Sequence, residues 1–148
     1  MSKNSVKIRL MKADDFESVV AIDDKVVGGR REYYELKFEK LFNSNDFLPT
    51  SLVAEEDGKV IGFVMGALYI GEYGIAHEGA SLDTIGVDPD CRNLGVGKKL
   101  IDEFVDHVRR IGVTKINTLV GWDDSRLMHF FSMNKFSPSK TVNLERSI

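Results

Sequence analysis

Hydrophobic and polar residues near the beginning of the chain follow patterns that predict one strand and then two helices. From Val6 to Met11 every second residue is apolar, which indicates a short half-buried strand. From Asp14 to Val27 apolar residues recur at helical intervals, and the acidic residues of the first turn suit the helix dipole. Gly28-Gly29 ends this helix, and a second helix with its own apolar stripe follows from about Arg31 to Phe42.

The middle of the chain predicts a hairpin and a further strand. The segments Leu52 to Glu55 and Lys59 to Ile70 flank the turn Glu56-Asp57-Gly58, which is typical of a β-hairpin. The glycine-rich stretch from Gly71 to Gly79 indicates a loop, and Ser81 to Val87 indicates another strand.

The last third of the chain predicts a long helix and shorter elements after it. Apolar residues fall on one face from about Gly95 to Ile111, and Gly112 suits a left-handed helix end. Lys115 to Val120 indicates a strand, a short helix runs to about Met133, and Thr141 to Leu144 indicates one more extended segment.

This order of strands and helices argues for an α/β or α+β fold in which helices cover a mixed sheet. The 148 residues suit one hydrophobic core. No repeat, low-complexity tract or linker divides the sequence, so we expect a single domain over residues 1–148.

Composition and charge narrow the classes of function. With 43% hydrophobic and 29% charged residues, the chain is expected to fold rather than to be disordered. A net charge of −3 gives no support to nucleic-acid binding and weakly favours a cationic amine ligand. We expect a cytoplasmic protein without a membrane partner, because no segment resembles a secretion signal or a bilayer span. Cys91 is the only cysteine and the histidines show no ligand spacing, so no metal site is expected.

The candidate chemistry lies where a strand runs through a tight turn into a glycine-rich helix start. Such a start presents unpaired N–H groups and the positive end of the helix dipole, which together suit a diphosphate. Gly95 and Gly97 lack Cβ, so phosphate oxygens can approach the backbone, and Arg92, or Lys98 and Lys99, could add charge at the rim. The glycines alone would also suit a turn or a packing role. Neither the Gly-Lys-Ser/Thr end of a phosphate loop nor the dinucleotide fingerprint is present.

Arg92-x-x-Gly95-x-Gly97, after Ile85-Gly86-Val87-Asp88-Pro89, resembles the acetyl-CoA motif of the GNAT acetyltransferases. The order of elements over nearly the whole chain is also similar to that fold, and Leu119 to Phe136 resembles the family's last conserved block. The resemblance implies an N-acetyltransferase that uses acetyl-CoA. It also implies a twisted mixed sheet of about six to seven strands flanked by helices.

The resemblance implies a role for each part of the motif. The backbone amides from Leu94 to Lys98 would hold the pyrophosphate of CoA, with Arg92 at the border of that pocket. Val87 would pair with the pantetheine arm where two strands splay apart at a bulge, for which Gly86 is well suited. The second half of the slot would be the strand from Lys115 to Val120. The residues expected to contact the cofactor are Ile85, Gly86, Val87, Arg92, Asn93, Leu94, Gly95, Val96, Gly97, Lys98 and Asp124.

A carboxylate is expected to act as general base on the substrate ammonium. Alternation along the strand puts Asp83 on one face with Ile85 and Val87, and the resemblance implies that this face carries the catalytic carboxylate. Asp83 is therefore the first candidate, directly or through a water, and Glu78 is the second. The alternative is that Asp83 only caps a turn or pairs with a surface lysine.

The sequence departs from the family pattern at the residue that usually protonates the leaving thiolate. Phe131 stands at the position of that tyrosine, Lys135 replaces a usual glycine, and Asp124 stands where asparagine is common. Phenylalanine cannot donate a proton. Water, or a tyrosine from elsewhere such as Tyr69 or Tyr73, could complete the transfer.

The function predicted from the sequence is direct acetyl transfer from acetyl-CoA to a primary amine of a small molecule or a protein. The alternative, favoured by Phe131, is a non-catalytic acyl-CoA-binding regulatory module. A nucleotide-phosphate-binding protein is a further alternative, and it predicts stabilisation by ATP rather than by CoA. The oligomeric state is left open, although the resemblance implies a family in which homodimers through a sheet edge are common.

Overall fold

A computed structural model of the protein describes residues 5–29, 32–43, 50–70, 78–92 and 94–148. The strands are β1 (Val6–Leu10), β2 (Leu52–Glu56), β3 (Lys59–Ile70), β4 (Glu78–Val87) and β5 (Ile116–Thr118). The α-helices are α1 (Phe16–Val27), α2 (Tyr33–Asn43), α3 (Val96–Ile111) and α4 (Ser125–Met133). None of the helices in these ranges is long and apolar enough to cross a membrane.

The strands form one mixed sheet in the order β1-β2-β3-β4-β5. All neighbours are antiparallel except β4 and β5, which are parallel. The predicted α/β sheet flanked by helices is confirmed, but the expected six to seven strands are too many, since the described residues form five. Thr141 to Leu144 belongs to no strand. Four alternating residues are too weak a signal, because a strand gains its stability from cross-strand pairs.

The chain divides into two compact units, residues 1–118 and residues 119–148. The first unit contains the whole sheet with α1, α2 and α3, and the second contains α4 and the tail. A single domain over residues 1–148 stays a prediction.

Helices α1 and α2 cover one face of the sheet, and α3 covers the other. Phe63 and Met65 of β3 belong to the core cluster that α1 and α2 complete, with Tyr34 edge-on to Phe63 at 5.8 Å between ring centroids. On the opposite face, a Cβ added to Gly66 would lie 2.6 Å from the ring of Phe104 on α3. Glycine at this position therefore lets α3 approach the strand closely.

The apolar stripe predicted for α3 is confirmed. Val96, Leu100, Phe104 and Val108 are each at most 3% exposed, and they recur every four residues along one face. The helix ends at Gly112, whose φ of +108° is the left-handed conformation predicted for it.

The boundaries of two strands differ from their predictions. β4 begins at Glu78, earlier than Ser81, because Gly79 pairs with Tyr69 of β3 beneath the tyrosine ring. β5 comprises only Ile116–Thr118 rather than Lys115 to Val120. Gly71 to His77 and Arg31 lie outside the described residues, so the predictions made for them stay predictions.

Candidate active site

Strand β4 contains a bulge at Asp83. Met65 of β3 pairs with Thr84, and the next residue, Gly66, pairs with Leu82, so Asp83 has no partner on β3. An extra residue of this kind bends the strand and redirects its side chains.

The prediction of a bulge at Gly86 is wrong. Gly86 pairs with Phe63 in regular register. A Cβ at Gly86 would lie 2.7 Å from the Phe63 ring, so the glycine allows close packing rather than irregular pairing.

The bulge also corrects the prediction that Asp83 shares a face with Ile85 and Val87. Ile85 pairs with Val64 and Val87 pairs with Gly62, so both lie on the α3 side of the sheet. Asp83 instead contacts α2 on the other side, because the extra residue shifts the alternation by one.

The Asp83 carboxylate has two donors in the first unit. Lys37 of α2 forms an ion pair with Oδ2, and Ser81 Oγ donates to Oδ1 at 2.7 Å. The side chains of Lys37 and Asp83 are 16% and 21% exposed. The pairing of Asp83 with a lysine, which was the alternative expected from the sequence, is therefore present. The lysine is largely buried, however, rather than on the surface. Any second cation at this carboxylate has to share or replace Lys37.

A buried hydrogen-bond network lies beside this ion pair. Tyr34 Oη donates to Asp23 Oδ1 of α1 at 3.0 Å and lies 2.9 Å from Thr84 Oγ1. Because tyrosine has one hydroxyl proton, the Thr84 hydroxyl is the donor in the second bond. The network joins α1 and α2 to β4 directly after the bulge.

The second candidate base, Glu78, lies at the opposite end of the strand. It is the first residue of β4, and its backbone pairs with Ile70. At about 3.3 Å per residue, its position is roughly 16 Å from Asp83, so the two candidates are not brought together.

One edge of β4 is only partly paired. The parallel ladder with β5 comprises three pairs and ends at Leu82 and Thr118, where Thr118 Oγ1 donates to the Leu82 carbonyl at 2.8 Å. Within the described ranges, the segment from Asp83 to Val87 has no strand partner on that side. Its outward N–H and C=O groups can receive an extended ligand in the manner of an added strand.

Asp88 fixes the turn that follows this edge. Its N–H donates to the Ile61 carbonyl at 2.8 Å, and its carboxylate accepts from the Asp90 N–H at 3.0 Å and from Lys25 Nζ at 3.1 Å. The side chain is buried, and burial raises the pKa of its carboxyl group. The Asp90 and Lys25 hydrogen bonds outweigh burial and hold that pKa below its usual value.

The start of α3 is open to an anion. Gly95 caps the helix with a φ of +73°, and a Cβ added there would meet nothing within 4 Å. The first intrahelical bond runs from the Lys99 N–H to the Gly95 carbonyl at 3.0 Å. The N–H groups of Val96, Gly97 and Lys98 precede it and have no acceptor within the helix. A phosphate group can therefore approach this turn without a steric obstacle from Gly95.

The positively charged side chains near this turn differ in their hydrogen-bond and ion-pair partners. Lys98 Nζ binds Asp102 at 2.6 Å, and Lys99 Nζ binds the Val6 carbonyl at 2.8 Å. Arg92 is half-buried and forms no ion pair with the described residues, which favours it as the cation at the rim. Leu94 is half-buried beside it, and Asn93 lies outside the described residues.

In the second unit, Asp124 caps α4. Its Oδ1 accepts the N–H of Leu127 at 3.1 Å, so the acidic residue satisfies one of the free N–H groups of the first turn. A contact between Asp124 and the cofactor stays a prediction.

Phe131 is an anchor of the second unit. It is 4% exposed and packs against Phe130 and Phe136, with ring centroids 5.5 Å and 5.1 Å away. Lys135, where the family pattern has glycine, adopts a left-handed φ of +72°. The backbone at Lys135 therefore retains a conformation that glycine adopts without strain.

Of the two tyrosines considered as alternative proton donors to the thiolate, Tyr69 and Tyr73, the structure describes only Tyr69. Tyr69 lies opposite Gly79 and its Oη accepts from Asn117 at 2.6 Å. The three-pair β4–β5 ladder separates Gly79 from Asp83 along the strand. Tyr73 lies outside the described residues.

Sequence reasoning missed Lys37. It lies beside the buried stripe of α2, one turn after Tyr34 and next to Phe38, and it is half-buried. A lysine at such a position must find a partner, because a buried ammonium without one is strongly disfavoured. A lysine next to the apolar stripe was therefore a usable signal, although its partner was not predictable.

Comparisons with known proteins bear on the whole chain. A profile described as the acetyltransferase (GNAT) family matches residues 11–136. An acetyltransferase of Sodalis glossinidius is 29% identical over 140 residues, which cover 94% of this chain and 92% of that protein. An L-2,4-diaminobutyric acid acetyltransferase of Nocardia farcinica is 30% identical over 118 residues, 76% of this chain and 54% of that protein. Among solved structures, aminoglycoside N-acetyltransferase AAC(6')-Iy in complex with CoA has a TM-score of 0.78 at 20% identity, covering 96% and 94% of the two chains.

Proposed function

This chain belongs to the acetyltransferase (GNAT) family, and we propose that it transfers an acetyl group to a primary amine by direct attack in a ternary complex. It is an acyltransferase, and acetyl-CoA is its co-substrate. The observation that carries the proposal is the continuity of two features. The open edge from Asp83 to Val87 is followed, eight residues after Val87, by the left-handed Gly95 and the N–H groups at the start of α3.

The α3 end of this path would bind the pyrophosphate of CoA. The N–H groups of Val96, Gly97 and Lys98 supply donors, and the helix dipole favours the negative charge. Arg92, which lacks an ion-pair partner among the described residues, would add a positive charge beside them. The space beside Gly95 supports this fit.

The open β4 edge would hold the pantetheine arm. From Val87 to Asp83 the edge is about 13 Å long at the rise of an extended strand. An arm paired with this backbone would carry its thioester from the α3 turn toward the bulge. Outward N–H groups of the same edge would stabilise the charge that develops on the carbonyl oxygen.

Asp83 would first take a proton from the substrate ammonium, directly or through a water, so that the neutral amine attacks the acyl carbon. The second nitrogen proton is released to solvent as the amide forms. The C–S bond then breaks, and the thiolate leaves with a thiol pKa near its ordinary value of about 8.5. Such a leaving group takes its proton from water, so Phe131 does not prevent the reaction. Most of the rate would come from orienting the amine at the thioester.

The single cysteine supports direct transfer rather than an acetyl-cysteine intermediate. Burial, followed by the negative charge of Asp88, raises the pKa of the Cys91 thiol. The thiolate is the nucleophilic form, so Cys91 remains in its unreactive form at neutral pH.

The acceptor is proposed only as a primary amine. Relatives and fold neighbours are named for L-2,4-diaminobutyric acid and for aminoglycosides, and one such neighbour was solved with sisomicin. A screen should therefore begin with diamines, diamino acids and aminoglycosides, and then continue to peptide N-termini and lysine peptides.

The proposal is tested by thermal shift followed by turnover. Acetyl-CoA and CoA at about a hundredfold excess over Kd should stabilise the protein by roughly 2.7 kcal/mol, or about 5 °C or more, and ATP should not. Arg92→Ala should weaken this shift, whereas Arg110→Ala, an exposed arginine in the last turn of α3, should leave it unchanged.

The outcomes separate the alternatives. Release of CoA with any amine of the panel supports acetyl transfer. A CoA-specific shift without turnover of any amine would favour the non-catalytic acyl-CoA-binding module. A shift with ATP alone would favour the nucleotide-phosphate alternative. A cytoplasmic location and a homodimer stay predictions of the sequence.

A further inference from the structure

Lys37 is set apart from the other described lysine of its helix. Its side chain is 16% exposed and its ammonium contacts the Asp83 carboxylate at the β4 bulge. Lys40, one turn later, is exposed. Lys37 is thus a primary amine held at the candidate base, on a helix whose position is fixed by the buried bonds of Tyr34.

A general base has to lie within hydrogen-bond distance of the amine that it deprotonates. In the first unit, the amine in that position is Lys37 Nζ. An arm bound along the open edge from Val87 toward Asp83 would bring its thioester to the same place. Lys37 Nζ therefore occupies the position that the nitrogen of an acceptor would take.

We propose that Lys37 is a site of self-acetylation by the acetyl-CoA bound in the same chain. The inference rests on the proposed function, because it requires the thioester to lie at the β4 bulge. Holding the amine at the base replaces a collision with an intramolecular reaction. Acetylation of Lys37 is therefore expected to be about tenfold or more faster than that of exposed lysines such as Lys40 or Lys98.

The reaction balances without a further reagent. The Lys37 ammonium gives one proton to Asp83 or, through water, to solvent, and the neutral Nζ attacks the acyl carbon. The C–N bond forms, the C–S bond breaks, and the thiolate takes a proton from water. The second nitrogen proton is released as the amide forms, so the products are N-acetyl-Lys37, CoA and one proton.

Acetylation would change the charge of the acceptor site. The amide of acetylated Lys37 carries no charge and cannot keep the ion pair with Asp83. The carboxylate would then be open to the ammonium group of an acceptor. The modified protein should consequently have a lower KM for cationic amines than the unmodified protein.

The test incubates the full chain with acetyl-CoA in the absence of an acceptor and follows acetylation of each lysine by peptide mass spectrometry. Lys37 should be labelled first, with a rate constant that does not depend on protein concentration. Asp83→Asn and Arg92→Ala should each slow this label about tenfold or more. Lys37→Arg keeps a cation for Asp83 and should remove the label, whereas Lys40→Arg should leave the labelling of Lys37 unchanged.

Three results would overturn the inference: labelling of Lys37 no faster than that of Lys40 or Lys98, a rate that rises with protein concentration, or a rate indifferent to Asp83→Asn. Thermal shift and amine turnover are measured on the same samples, and melting temperatures confirm that each variant is folded. If CoA binding and turnover persist without a Lys37 label, only self-acetylation fails. If both are also lost, the proposed function itself is wrong.

Discussion

The two ends of the open β4 edge are built by different parts of the chain. At the α3 end, beyond Val87, the donors are backbone N–H groups, and Gly95 provides both the conformation and the space. At the bulge, the polar groups are side chains, and Lys37 reaches Asp83 from a helix 46 residues away in sequence. A backbone site is encoded within a few neighbouring residues, whereas a side-chain site depends on how distant elements pack.

The largest expected effect is at the bulge. Asp83→Asn should lower kcat about a hundredfold, because an amide cannot accept the proton of the ammonium. The Kd for CoA should stay within about twofold, since the α3 end is untouched. Steady-state kinetics and a CoA titration check both values. Asp106→Asn, which breaks an exposed ion pair on α3, is the matched control and should change neither.

An unchanged kcat for Asp83→Asn would contradict the assignment of the base. A large loss of CoA affinity in the same variant would show that the two ends of the edge are not independent.

The next effect is at the α3 end. Gly95→Ala places a side chain at a φ of +73° and should cost about 1–2 kcal/mol of folding free energy. It should also weaken CoA binding, because a relaxed backbone turns the N–H groups away from the phosphates. Denaturant unfolding and a CoA titration measure the two consequences. Gly121→Ala, where φ is not positive and the nearest atom to the new Cβ is 3.4 Å away, should cost much less.

Asp88 refines this comparison, because it lies near the α3 end but acts through its side-chain carboxylate. Its folded pKa lies below the unfolded value of about 3.9, so its contribution to stability is present above that pH. The contribution is lost as the pH falls through the folded pKa. Unfolding free energies measured from neutral pH into the acid range should therefore fall less steeply for Asp88→Asn than for the wild type.

Asp90→Asn is the control for this fall of the unfolding free energy at acidic pH. The Asp90 side chain is 83% exposed, and its carboxylate lies 3.6 Å from Lys25 Nζ. Because such an exposed pair contributes little, Asp90→Asn should lose stability at acidic pH as steeply as the wild type. Equal slopes for the wild type and Asp88→Asn would contradict a lowered pKa for Asp88.

The smallest effect concerns the backbone conformation of Lys135, which belongs to neither end of the β4 edge. Its φ of +72° is strained for lysine, so Lys135→Gly should stabilise the chain by about 0.5–1 kcal/mol. A thermal melt detects the rise in Tm. Lys140→Gly, at a position without positive φ, should give no gain, and an equal gain there would contradict the explanation by strain.

The same contrast explains what could be predicted from the sequence. The stripe of α3, its glycine end and the hairpin turn between β2 and β3 depend on local periodicity and on backbone conformation, and all were predicted. The left-handed turn at Gly95, which is proposed to bind the phosphates, belongs to the same class, because Gly95 and the helix start are contiguous.

The rest depended on contacts between distant segments. The bulge at Asp83 arises from the register with β3, so alternation alone put Asp83 on the wrong face. The glycine at 86 was assigned to a bulge because the Phe63 ring that it accommodates lies on another strand. Lys37 and Asp83 gave no joint signal, since their pairing follows from the docking of α2.

The bulge is expected to limit strand addition by another molecule at this edge. A half-paired strand is a template on which a second chain can add, and such edges promote aggregation. At Asp83 the flat edge is interrupted by an irregular residue that carries a charge, so only Thr84 to Val87 remains as a regular run. Pantetheine bound along that run would cover the remaining groups. Bound acetyl-CoA would thus take the place of a neighbouring strand. The resistance of the protein to aggregation would then rise with the fraction of molecules that hold acetyl-CoA.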